Sequence, residues 1–374
     1  MIEDEEVDLE PRPLMTEPFD PSNIDISNKL MTIDLLVSRL RENPQEIEMD
    51  TSTYFQRKAG LWDEVAQSRL IESILIKFPI PAFYFDAEND GKWLVVDGLQ
   101  RLTSLNNFIV KKTLTLRGLE FLTQLEGTGY DFIGRDLQRV ILESQVVAYI
   151  INKGTPPQVK YNIFKRINTG GLVLNPQEIR HALHQGVAAN FLSKLASLES
   201  FTKVVPLKST DRMEDRSFVN RFLCFYLIPI DEIEFDIETS MDRALYIVES
   251  LDDDKLEKCL YDFDKAMKLS YEIFGVYAFR KWHGDETRKN PINKALFDVT
   301  SVLFAHLSEG ETQKLLANKN FFMTEYFDLM DHASFHDSIT VFTTDRHRIL
   351  SRYSNMHKII DKTIGESLCF PMFK

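Results

Sequence analysis

The chain has 374 residues, enough for two domains with cores of their own, and its 44% hydrophobic and 11% aromatic content, including 27 Phe, fits a well-packed globular protein. Net charge is −13, spread unevenly: residues 1–30 contribute −7, residues 31–198 contribute +1 and residues 199–374 contribute −7. Three widely spaced cysteines (Cys224, Cys259, Cys369) argue against a disulfide framework or a zinc cluster, no apolar run approaches bilayer length, and the opening MIEDEEVDLEPRP is acidic, so a cytoplasmic protein is expected.

Residues 1–30 combine their acidic excess with Pro11, Pro13, Pro18 and Pro21, which predicts a disordered arm. From Thr32, TIDLLVSRLREN reads as a capped helix with Leu35, Leu36, Val37 and Leu40 on its apolar face. SRLIESILIKFPIP sets Leu70, Ile71, Ile74 and Leu75 at helical spacing until Pro79 and Pro81 end the helix. PAFYFD and KWLVV, joined by AENDG, read as paired strands. LQRLTSLNNFIV is a predicted helix, QVVAYII (145–151) a third strand, and PPQVKYNIFKRIN a helix entered through proline. After the break at NTGG, NPQEIRHALHQG is a helix with Asn175 as N-cap and Pro176 at its first position. Beyond residue 200 strand signals fade, and RSFVNRFLCFYLI, DRALYIVESL, KLEKCLYDFDKAMKLSYEIFG and INKALFDVTSVLFAHL read as helices. The expected class is α+β: an N-terminal module with a small sheet over 31–198, then a mainly helical domain over 199–374.

The stretch VVDGLQRLTSL (95–105) places Asp97-Gly98 where a strand turns into a helix, with Arg101 in the first turn. Free N–H groups at such a helix start favour phosphate. Gly98 permits a tight turn, Arg101 offers a forked cationic donor, and Asp97 can hold Mg²⁺ or position a water. An Asp N-cap with an exposed Arg on an ordinary corner is equally compatible with these residues. Three further stretches set polar groups at element ends: FQRKAGLW (Gln56, Arg57, Trp62), FKRINTGG (Arg166, Asn168) and NPQEIRHAL (Glu178, Arg180, His181). Each also has a plain alternative: surface charge for Arg57, core for Trp62, a C-cap for Asn168, a solvated helix face for Glu178 and Arg180.

In this order, YFQRKAGLW, SRLIESILIKFPIPAFYF, VVDGLQRLTSL and FKRINTGGLVLNPQEIRHAL resemble the N-terminal domain family of the GmrSD-type modification-dependent restriction systems. The resemblance covers residues 30–190 and continues more loosely through 211–225 and 290–298. It implies a ParB/sulfiredoxin-like fold and, through the family motif DGQQR, nucleotide binding and hydrolysis in anti-phage defence. The motif maps onto Asp97, Gly98, Gln100 and Arg101; Leu99 departs from it, standing where the first glutamine is usual. Many relatives fuse an HNH-type nuclease half, but His332, His336 and His347 lack the flanking hairpin and read as ordinary helix and loop histidines.

The expected activity is NTP binding and hydrolysis, with Mg²⁺, in a prokaryotic defence or DNA-processing system. Asp97 and Arg101 would be catalytic, Asp97 would meet the metal, and Gln56, Arg57, Gly98, Gln100, Arg166 and Asn168 would line the same cleft. Expected partners are DNA, modified phage DNA included, and a separately encoded protein, a nuclease. The alternatives are a nucleotide- or DNA-sensing switch without catalysis and, last, a metal-dependent DNase.

Overall fold

The computed structural model of the chain describes residues 24–41, 46–48, 62–89, 92–167, 175–184, 186–210, 212–233, 237–284 and 289–370. They fall into two compact units, 24–167 and 175–370.

The first unit is built on a mixed sheet of five strands: β1 (Ile26–Thr32), β2 (Ile47–Glu48), β3 (Phe83–Asn89), β4 (Lys92–Asp97) and β5 (Gln145–Asn152). Their order is β1-β5-β3-β4-β2. β5 runs parallel to β3 and antiparallel to β1; β4 runs antiparallel to β3 and parallel to β2. Alternation along QVVAYIIN sends Val146, Ala148 and Ile150 to one face, where Phe83, Phe85 and Trp93 join them. That face is covered by α1 (Ile33–Arg41), α2 (Glu64–Leu75), α3 (Leu99–Leu105) and α4 (Arg135–Glu143) through Leu36, Leu70, Leu102 and Ile141. α3 widens at its end into a π-helical turn, Asn106–Val110.

α5 (Pro157–Ile167) packs elsewhere on the sheet. Its Lys160 reaches Asp86 of β3 with Nζ 2.9 and 3.1 Å from the two carboxylate oxygens, both side chains almost wholly buried. Phe83 and Phe85 enter the helix-covered core, so Asp86, which alternates with them, faces α5.

Two expectations change here. Residues 26–30, assigned by charge and proline to a disordered arm, form most of β1, which pairs with β5 from Ile26 to Thr32. The pattern was unreadable because most of this edge strand faces solvent; residues 1–23 lie outside the described residues. On α1 the buried stripe is Ile33, Leu36, Val37 and Leu40, whereas Leu35 is exposed.

The second unit is helical: α6 (Pro176–Leu183), α7 (Val187–Ala196), α8 (Glu199–Val204), α9 (Glu214–Leu227), α10 (Ile237–Ser250), α11 (Asp253–Phe274), α12 (Lys294–His306), α13 (Glu309–Ala317), α14 (Lys319–Asp331), α15 (Ala333–Ser338) and α16 (Arg346–Ile364). α12 is buried on every side from Ala295 to Ala305, the mark of a central helix. α6 and α7, placed before the 198 boundary by the sequence, belong with this unit. Phe191, Leu192 and Leu195 of α7 join its core. Among the described residues beyond 200, the only bridge outside helices is Arg280 with Ile292.

Candidate functional site

β4 delivers Asp97 to the corner and Gly98 turns it. Gly98 has φ 100°, in the left-handed region, and a Cβ there would come within 2.5 Å of the Phe83 ring. Glycine is thus required twice, by backbone conformation and by contact. Gly98 is itself the N-cap of α3, and no side chain caps the helix. The N–H groups of the first turn therefore have no partner within the helix. Asp97 is not a cap, which removes half of the plain reading of this corner.

Arg101 removes the other half, because it is buried rather than exposed, at 8%. Its guanidinium lies over the Phe83 ring, 4.7 Å from the centroid. Nη1 donates to the carbonyl of Ala82 at 3.1 Å and to that of Pro81, while Nη2 donates to Asp97 Oδ2 at 2.6 Å. Burial lowers the pKa of Arg101 from its ordinary value, and the Asp97 carboxylate opposes that shift. Part of the expected phosphate fork is thus committed to holding the 81–82 segment against the corner. One Nη2 hydrogen and the Nε hydrogen remain beyond these three bonds. Asp97 keeps its second oxygen, and its side chain is 32% exposed.

The corner continues across the sheet. Tyr84 pairs in register with Asp97 on one side and with Tyr149 on the other, so one cross-strand row reads Tyr149–Tyr84–Asp97. The two tyrosine rings stack with centroids 5.0 Å apart. Burial raises the Tyr84 hydroxyl pKa, helped by Tyr149 and Asp97 and countered by Arg101. Beside this pair, Ile151 of the sheet and Ile163, Arg166 and Ile167 of α5 enclose a slot of about 330 Å³. Arg166 shares this slot with Tyr84, whose register partner is Asp97. Gln100 turns another way: its Oε1 accepts the Trp62 N–H at 3.3 Å. Gln56, Arg57 and Asn168 lie outside the described residues.

Glu178, Arg180 and His181 belong to the second unit and are buried there. Glu178 completes a capping box with Asn175 and pairs with Arg212 at 3.0 Å; Arg180 pairs with Glu238. These bonds account for both charges as helix fasteners. Nearby, His184 sits between Asp242 (3.0 Å) and Glu249 (2.9 Å). Burial alone would lower its pKa, but the two carboxylates raise it to about 9. His332, His336 and His347 are exposed, and no group of three or more metal-ligating side chains occurs among the described residues.

Sequence reasoning missed the Tyr84–Tyr149 pair, the Lys160–Asp86 ion pair and buried Glu72, which accepts the N–H groups of Glu120, Phe121 and Leu122. Partners 65 and 74 residues apart leave no local signature.

Residues 39–185 match the family model described as GmrSD restriction endonuclease, N-terminal domain. No curated protein and no solved structure matches the chain. The match contains every residue of the corner and of the slot's helical wall.

Proposed function

We propose that this chain, whose residues 39–185 form a domain of the GmrSD N-terminal family, is the nucleotide-binding component of a restriction-type anti-phage system, with the phosphates held at the Asp97–Gly98–Arg101 corner. The observation that carries this reading is the corner itself. A glycine at φ 100° opens the first turn of α3, with a fastened guanidinium and a partly exposed carboxylate beside it.

The first-turn N–H groups and the remaining guanidinium hydrogens attract phosphate oxygens. A lone carboxylate would repel them, and the donor set fits Mg²⁺ arriving with the nucleotide. Magnesium is commonly held by one or two carboxylates plus substrate phosphates, and Asp97 supplies one free oxygen. When bound, the ion would offset charge on the phosphates. Arg166, exposed at the slot's edge, supplies a second cation for the nucleotide.

Binding without turnover is the second reading. It is favoured by the pairing of Asp97 with Arg101, which leaves one carboxylate oxygen rather than two for orienting water. Under either reading a separately encoded partner, a nuclease, acts on the DNA, and modified phage DNA is the ligand to test.

The experiment is calorimetry of the purified chain with each NTP and Mg²⁺, followed by phosphate release with and without plain and modified DNA. Binding that weakens about tenfold or more in Arg101→Ala, the size of a lost charge-assisted bond, is the expected result. Because Arg101 also fastens the corner, thermal unfolding of the variant is measured alongside. A wild type that binds no NTP ends the proposal.

A further inference from the structure

The row Tyr149–Tyr84–Asp97 joins two environments, an aromatic slot at one end and the charged corner at the other. We propose that the slot is a nucleobase subsite, in which the base of the nucleotide lies against the Tyr84–Tyr149 pair while its phosphates occupy the corner; this rests on the nucleotide reading above.

The slot's composition suits a flat, largely apolar ring system. Its sheet side is Tyr84 and Tyr149 with Ile26 and Ile151, its helix side is Ile163 and Ile167, and among the described lining residues the one charged group is the exposed Arg166. A phosphate would leave such walls without a matching contact, whereas any base has a π-face to stack on the ring face that a tyrosine does not turn to its neighbour. At about 330 Å³ the slot is at the small end of ligand sites, the scale of a nucleoside rather than a larger cofactor.

Spacing supports a single occupant. Tyr149 and Asp97 are separated by two inter-strand steps, about 10 Å of sheet, which is comparable with the reach of a nucleoside from its base to its first phosphates. The phenols also suit recognition. The Tyr84 hydroxyl can both donate to and accept from a base edge or ribose. Arg166, planar and on the rim, can stack on the base or reach the phosphate nearest the ribose.

The test compares ligands before variants. Binding of the four Mg²⁺-NTPs to the full chain is measured by calorimetry beside Mg²⁺-tripolyphosphate, which has the phosphates and no base. At least one NTP should bind about tenfold or more tighter than tripolyphosphate, the size that stacking on an aromatic ring provides. Tyr149→Ala should erase that difference while leaving tripolyphosphate binding unchanged, and Tyr149→Phe should keep it. Equal binding of NTPs and tripolyphosphate overturns the base subsite and leaves the phosphate corner standing. An NTP preference that survives in folded Tyr149→Ala puts the base elsewhere and also overturns it. Binding of neither ligand overturns the subsite together with the nucleotide reading. Should Tyr149→Ala fail to fold, Tyr149→Leu, which keeps bulk and removes the ring, takes its place with the same expected and overturning outcomes.

Discussion

Gly98 and Arg101 occupy one corner and constrain it in different ways. Gly98→Ala forces a side chain into both the left-handed region and the Phe83 ring, so destabilisation of about 1–3 kcal/mol is expected, read from the urea midpoint. An unchanged midpoint would mean the turn relaxes freely. Leu99, at the place where the resemblance led one to expect a glutamine, packs against the apolar core of the first unit, so that position is turned toward the core. His184 gives a pH prediction with a definite sign. Its pKa is raised from 6.5 to about 9, so its stabilising effect is complete below about pH 6.5 and disappears as pH rises through 9. A shift of that size corresponds to about 3 kcal/mol, and His184→Gln should therefore lower stability at pH 6 and much less at pH 9.5. Parallel stability–pH curves for the two proteins would contradict the assignment.

At the scale of elements, α5 matters most because it forms one wall of the slot and is tied to β3 by a buried ion pair. Asp86→Ala removes the carboxylate that meets Lys160 Nζ at 2.9 and 3.1 Å, at a site 3% exposed. Removing one partner of a buried pair typically costs about 3–5 kcal/mol, and hydrogen exchange should rise first across 157–167. Protection there equal to wild type would show that apolar packing alone holds the helix. β1 teaches the complementary lesson about legibility. QVVAYII was readable as a strand from its run of Val, Ile and Tyr, whereas ISNKLMT carries polar residues on an edge and only its pairing with β5 reveals it. The start of α6 was readable to the residue, since Asn175 caps it locally, while its end at Leu183 falls short of the expected HQG.

For the whole molecule, the question is what the helical unit contributes. Residues 199–374 carry −7, a balance that suits contacts with protein better than with a DNA backbone, whose affinity comes largely from Lys and Arg. No helix among the described residues is long and apolar enough to cross a membrane. Incubated with Mg²⁺ or Mn²⁺, NTP and plain or modified phage DNA, the purified chain is expected to leave the DNA intact. Cleavage that disappears in Asp97→Ala would reverse that view and make the corner a nuclease centre.

The sequence by itself determined the α+β order, the strand-to-helix corner at Asp97-Gly98, the capped start of α6 and the family resemblance. The first three rest on neighbours a few residues apart or on a short periodicity, and the resemblance on four motifs in a fixed order. Tertiary structure alone decided that Arg101 is buried over the Phe83 ring and that Glu178 and Arg180 fasten the second unit. It alone also set Tyr84, Tyr149 and Asp97 in one row. The physical reason is register: which residues face each other across strands is set by packing over the whole sheet, and a slip of one residue would turn every side chain to the opposite face.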